Sequence, residues 1–137
     1  MSDSEDEPIY FEYSACLRIH GESLDFEALE NAIGIIPTHC HRRGDKKGLT
    51  SPGYRDDAWH LDSSLPASKH LDRHLEELWH KIAHAADFLR ELKGTAKIDV
   101  FCGYRSNCDH CGVDIAPSSM KILVELELTC SLSIIIA

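Results

Sequence analysis

No apolar run in the 137 residues approaches the ~20 that a membrane-spanning helix requires, so no membrane segment is expected. The opening Met1-Ser2-Asp3-Ser4-Glu5-Asp6-Glu7-Pro8 is acidic where a secretory signal is basic and then apolar. Export by that route is not expected, and the chain reads as cytoplasmic. Basic residues are in short supply: 14 Lys and Arg stand against 23 Asp and Glu, a formal charge of −9. Affinity for DNA or RNA rests on clustered cations that neutralise phosphates, so no nucleic-acid partner is expected. Arg42-Arg43 with Lys46-Lys47 is the one basic knot, and it reads as a solvated loop. Also missing are a G-x-x-x-x-G-K-[ST] phosphate loop, a G-x-G-x-x-G fingerprint, a G-x-S-x-G elbow and an H-E-x-x-H pair. Without a complete catalytic set, the reading leans away from an enzyme. Disulfides are not expected either. Six cysteines would suit a small secreted scaffold, but this chain has a full-sized core and no export signal, so free thiols are the default.

An apolar fraction of 43% and a charged fraction of 27% are those of an ordinary globular domain. The length suits one domain, which buries roughly two-thirds of its unfolded surface. Residues 1–9 read as an acidic disordered tail and 10–137 as a single α+β domain.

Between Tyr10 and His20 the odd positions Phe11, Tyr13, Ala15, Leu17 and Ile19 are apolar, the period of a half-buried strand. Asp25 is placed to cap a short helix with Phe26, Leu29 and Ile33 inward, and Gly34 and Pro37 end it. Short strands at 38–42 and 58–63 follow, joined by a glycine-rich loop. Leu71, Leu75, Leu78, Ile82, Ala85, Leu89 and Leu92 alternate steps of four and three, predicting one long amphipathic helix over 66–92. A strand over 97–104, a turn over 106–114, a short helix over 117–126 and a last strand over 128–136 complete the chain. Leu128, Cys130, Leu132, Ile134 and Ile136 form the inward set of that last strand. Trp59 and Trp79 are expected in the core. The order β-α-β-β-α-β then α-β predicts a ferredoxin-like split β-α-β antiparallel sheet with an additional C-terminal helix and strand. Helices would cover one face and leave Glu12, Arg18, His20, His60, Asp62, Asp99 and Arg105 on the other.

Several short stretches carry a family resemblance. They are Leu17-Arg18-Ile19-His20-Gly21 leading to Leu24-Asp25, Gly34-Ile35-Ile36-Pro37-Thr38 with Gly44 beyond, Trp59-His60-Leu61 before Ser63, Asp99-Val100-Phe101-Cys102-Gly103-Tyr104, and the closing Leu132-Ser133-Ile134. Together they resemble the bacterial family catalogued as domain of unknown function 4279, from about Tyr10 to the C-terminus. The resemblance implies a shared fold and supplies no reaction. The chain departs from the family pattern at Cys108-Asp109-His110-Cys111 and in its nine histidines.

Cys108-x-x-Cys111, with Cys102 six residues earlier and His110 inside, has the donor types zinc prefers. A structural site needs a second ligand group, and His39-Cys40-His41 is the available one. The simpler reading is a turn with two ordinary thiols, because one such pair is a weak signal. A redox role fits less well still, since Gly112 and Val113 follow where a helix should start. His70 with His74, and His80 with His84, are each four apart on the long helix, but a polar helix face explains both pairs more simply.

The leading functional expectation is a non-enzymatic protein-interaction module. It would use Arg18, His20, His60 and Asp62 on the uncovered sheet face and bind a basic protein, as an immunity protein neutralises a toxin or nuclease. The rival is a zinc-binding protein or metal-dependent enzyme using Cys102, Cys108, His110 and Cys111 with His39 or His41, zinc being the sole cofactor suggested. A small-molecule sensor on the same polar face is the third.

Overall fold

The computed structural model describes residues 8–46, 48–109 and 112–137. Residues 1–7, with most of the expected acidic tail, and Lys47, His110 and Cys111 lie outside the described residues.

Strand β1 (Phe11–Gly21) follows the odd-numbered apolar set, with Tyr13, Ala15, Leu17 and Ile19 buried. Helix α1 (Phe26–Ile33) begins where the Asp25 carboxylate accepts the Ala28 N–H at 3.0 Å, and ends at Gly34, whose φ of 71° suits a residue without a Cβ. The hairpin strands β2 (His39–His41) and β3 (Asp57–Asp62) come next. They are followed by α2 (Leu71–Ile82), a 3-10 turn at Ala83–Ala85, α3 (Ala86–Leu92) and β4 (Lys97–Ser106). A second 3-10 turn at Pro117–Met120 leads into α4 (Lys121–Glu125), and β5 (Thr129–Ile136) closes the chain.

The architecture is α+β, with one five-stranded sheet in the order β2-β3-β1-β4-β5. Neighbours are antiparallel except β4 and β5, which run parallel, so the sheet is mixed and not antiparallel throughout as the sequence led us to expect. The connection explains the correction. The chain leaves β4 and returns to the sheet as β5 by way of α4, and a helical crossover delivers the next strand in the same direction.

The helices lie on one face, where Leu17, Ile19, Trp59, Leu71, Leu75, Leu78, Ile82, Val100 and Ile122 are all under 2% exposed and form the core. The stripe expected to run along one helix is interrupted by the 3-10 turn at Ala83–Ala85. A 3.5-residue repeat drifts about 20° per heptad on a straight helix, hence about 60° from Leu71 to Leu92. Three 3-10 residues, each turning about 20° more than an α residue, cancel that drift and return Leu89 to the core. Of the inward set proposed for β5, Leu132, Ile134 and Ile136 are exposed, because this edge strand runs past the helices that would cover it. Trp79 is only half-buried at the rim of the core. Among the described residues no helix is long and apolar enough to cross a membrane.

Candidate functional site

Register decides which polar side chains meet on the uncovered face. Because successive strand residues point to opposite sides, β1 sends Cys16, Arg18 and His20 outward and β3 sends Ala58, His60 and Asp62 with them. Strand pairing sets Arg18 and His39 on either side of His60, and His20 and His41 on either side of Ala58. Four imidazoles therefore ring a residue that has only a methyl group.

The rings meet in two pairs. His20 Nε2 and His60 Nε2 are 2.8 Å apart, as are His39 Nε2 and His41 Nδ1. The pairs adjoin, since the His39 and His60 ring centres are 5.4 Å apart. Tyr54 lies flat on His41 with ring centres 3.4 Å apart, held there because Tyr54 N–H donates to the Asp45 carbonyl and Gly44 N–H to the Tyr54 carbonyl. These four histidines with Tyr54, Arg55 and Asp56 line an open groove of about 540 Å³. A second depression of about 390 Å³ lies over Gly103 on the same face, but its lining holds no imidazole or thiol. The chemistry is in the histidine groove.

Burial and neighbouring charges hold His20, His41 and His60 below the ordinary imidazole range. His60 is pushed down to about 4, first by desolvation and then by His20 and His39. His20 is lowered by desolvation and by the Arg18 guanidinium, and His41 by desolvation and His39. At neutral pH these three rings are neutral and each offers one lone pair. Beside them Arg18 makes a two-pronged bond to Asp99, Nε to Oδ1 and Nη2 to Oδ2 at 2.8 Å each, and stacks 4.7 Å above Phe101. Cys16 lies between this pair and Asp62, and burial with the Asp62 carboxylate pushes its thiol far up.

The groove has a rigid base that the sequence did not announce. Asp57, 4% exposed, accepts the N–H groups of Leu24 at 2.9 Å and Arg43 at 2.6 Å and pairs with Arg42 at 3.3 Å. Those backbone bonds hold its carboxyl below the usual range and tie the entrance of α1 to the loop after β2.

Of the binding residues expected from sequence, Arg18, His20, His60 and Asp62 all lie on this face, with His20 and His60 in direct contact. The expected metal ligands separate. Cys102 is fully buried on the helix face, its sulfur 3.6 Å from that of Cys130. His39 and His41 face the other side on the far edge strand, with β3 and β1 between them and β4. Cys108 lies past the end of β4, its N–H donating to Ser106 Oγ, while Cys102 sits about 13 Å back along the strand from Ser106. His110 and Cys111 lie outside the described residues. Among the described residues no three histidine, cysteine or carboxylate side chains already stand in coordination geometry.

The helix histidines also part company. His74 is buried, its Nδ1 2.7 Å from Ser63 Oγ, and His84 bonds the Ile33 carbonyl at 2.7 Å while His80 is exposed. The Ser63–His74 contact is structural: the hydroxyl also accepts the Leu65 N–H, and the ring is in the core.

What the sequence reading missed is that His39 and His41 belong with His20 and His60. The signal was the His-x-His spacing, which puts two rings on one strand face, but only the β2–β3 register shows which face. No curated protein and no solved structure matches the chain. The model described as domain of unknown function (DUF4279) matches residues 11–136, nearly the whole length, and the chain belongs to that family.

Proposed function

We propose that the chain is a non-enzymatic binding module whose working surface is the uncovered face at β2, β3 and β1, with the 42–56 loop as its rim. One observation carries this reading: the helices cover a single face, and the other gathers imidazoles, carboxylates and a tyrosine around an open groove. A rigid sheet with a loop pinned by Asp57 is the kind of scaffold on which recognition residues are carried. The formal charge of −9 favours a basic protein partner and would speed its approach. Arg18 is matched by Asp99, which leaves Asp56 and Asp62 to meet the partner's cations. An immunity-like role against a basic toxin is the concrete form of this proposal. We also read the first four strands as a ferredoxin-type sandwich, supported by the order β2-β3-β1-β4 with antiparallel neighbours.

The test is capture of a partner from lysate of the source cells, its identification, and measurement of Kd with purified partner against the Asp56→Lys, Asp62→Lys double variant. Arg18 is left in place because its removal would strand the Asp99 carboxylate, which is 8% exposed. Binding at least tenfold weaker in the variant, with unchanged thermal unfolding, is expected. A basic partner that binds both chains equally would refute the assignment of the face.

A further inference from the structure

We propose that His20, His39, His41 and His60 form a binding site for one divalent transition-metal ion, Zn²⁺ first among them. This deepens the reading above by naming a ligand of the same face. The donors are His20 Nε2, His60 Nε2, His39 Nε2 and His41 Nδ1, the four nitrogens that already face one another in two pairs at 2.8 Å. All-imidazole donors suit zinc, copper and nickel, and zinc takes four ligands in a tetrahedron. Bonds of about 2.0–2.1 Å in a tetrahedron put ligand nitrogens about 3.3 Å apart. Each pair therefore opens by about half an ångström, and the two pairs, whose His39 and His60 ring centres are 5.4 Å apart, turn towards each other to share one ion.

Three features of the fold supply the setting. His20 and His41 flank Ala58 from the strands on either side of β3, about 10 Å apart across two strand spacings, and the alanine between them is fully covered and adds only a methyl group beneath the rings. His39 sits opposite His60, so the four rings belong to two neighbouring rows of the same sheet face. The Asp56 backbone hydrogen-bonds the His41 ring, and a backbone bond of this kind helps hold the orientation of a ligand ring at metal sites. The side chains now satisfy one another by ring-to-ring hydrogen bonds. On metal binding the donor ring of each pair shifts its proton to its other nitrogen, so four lone pairs face the ion without any oxidant or net proton release.

The site differs from the Cys102, Cys108 and Cys111 combination suggested by the sequence, and the experiment separates the two. Untagged protein is freed of metal with a chelator, dialysed and titrated with ZnCl₂ by calorimetry, and with Co²⁺ read by visible absorption. One Zn²⁺ per chain, a tetrahedral Co²⁺ spectrum without thiolate charge-transfer bands, and a higher Tm with zinc are expected. His60→Ala and, separately, His39→Ala on the exposed edge strand should weaken zinc at least about 100-fold, while Cys108→Ser and His80→Ala leave it unchanged. His39→Ala keeps the test valid if His60→Ala fails to fold. No uptake at micromolar zinc, uptake undiminished in His39→Ala, or loss in Cys108→Ser would each overturn the site. Failure here with a partner still lost in Asp56→Lys, Asp62→Lys would remove the metal and leave the binding face standing.

Discussion

Asp57 shows how much one side chain can decide. It is an acid on the inward side of a strand beside Trp59, a position where an unpaired carboxylate would be expelled. It stays because two backbone N–H groups and the Arg42 guanidinium surround it, and Arg42 itself also donates to the Leu24 carbonyl and lies over Phe26. The carboxylate thereby stitches three chain segments that are distant in sequence. Asp57→Ala leaves two donors without an acceptor and should cost about 2–4 kcal/mol in urea unfolding, since bonds to charged groups are the strong ones. Asp57→Asn keeps one acceptor and should lose less. A loss under about 0.5 kcal/mol in the alanine variant would mean that water replaces the carboxylate and that the loop is not pinned there.

At the scale of elements, the parts of the fold that could be read in advance were those governed by local period. The alternation in β1, the Asp25 cap with its Gly34 stop, and the leucine stripe all stand where the residues put them. Matters of reach and pairing were not legible. An alternating Leu132, Ile134, Ile136 looks inward, but burial also requires a helix long enough to lie over it, and α4 is five residues long. Likewise Arg18, His20, His60 and Asp62 could be assigned to one face by parity, whereas the place of His39 and His41 depended on a three-residue strand pairing with β3. Two substitutions measure this difference. Leu78→Ala, in the middle of α2 and fully buried, should cost about 2–5 kcal/mol by opening a cavity. Leu132→Ala, 42% exposed, should cost less than about 1 kcal/mol. Equal losses would mean that β5 is covered after all.

For the whole molecule, the histidines couple fold to proton binding, and every shift on them acts in one direction. His20, His41, His60 and His74 are all held below the ordinary imidazole value, mainly by burial, with His60 at about 4. The groups facing His60 are His20, His39, His41 and Arg18, all cationic or able to become so, while Glu77 only partly offsets the burial of His74. Asp57 and Glu77 are lowered as well, by backbone N–H groups from Arg43 and Leu24 in one case and Ser64 in the other. In the unfolded chain these histidines take up protons near pH ~6.5, and in the folded chain only at lower pH. The unfolded state therefore binds more protons in this window. The stability contributed by the neutral rings is complete above about pH 6.5 and is lost as pH falls towards the folded values. The same delay leaves the folded chain more negative than the unfolded chain at any pH in that interval. The sequence alone gives an isoelectric point of 5.4. On metal-free protein, isoelectric focusing should place the native band below the band run in concentrated urea, and urea midpoints should fall from pH 7 to pH 5. A native band at or above the denatured one would show that the four rings protonate freely in the fold, and that the face is too wet to keep them neutral.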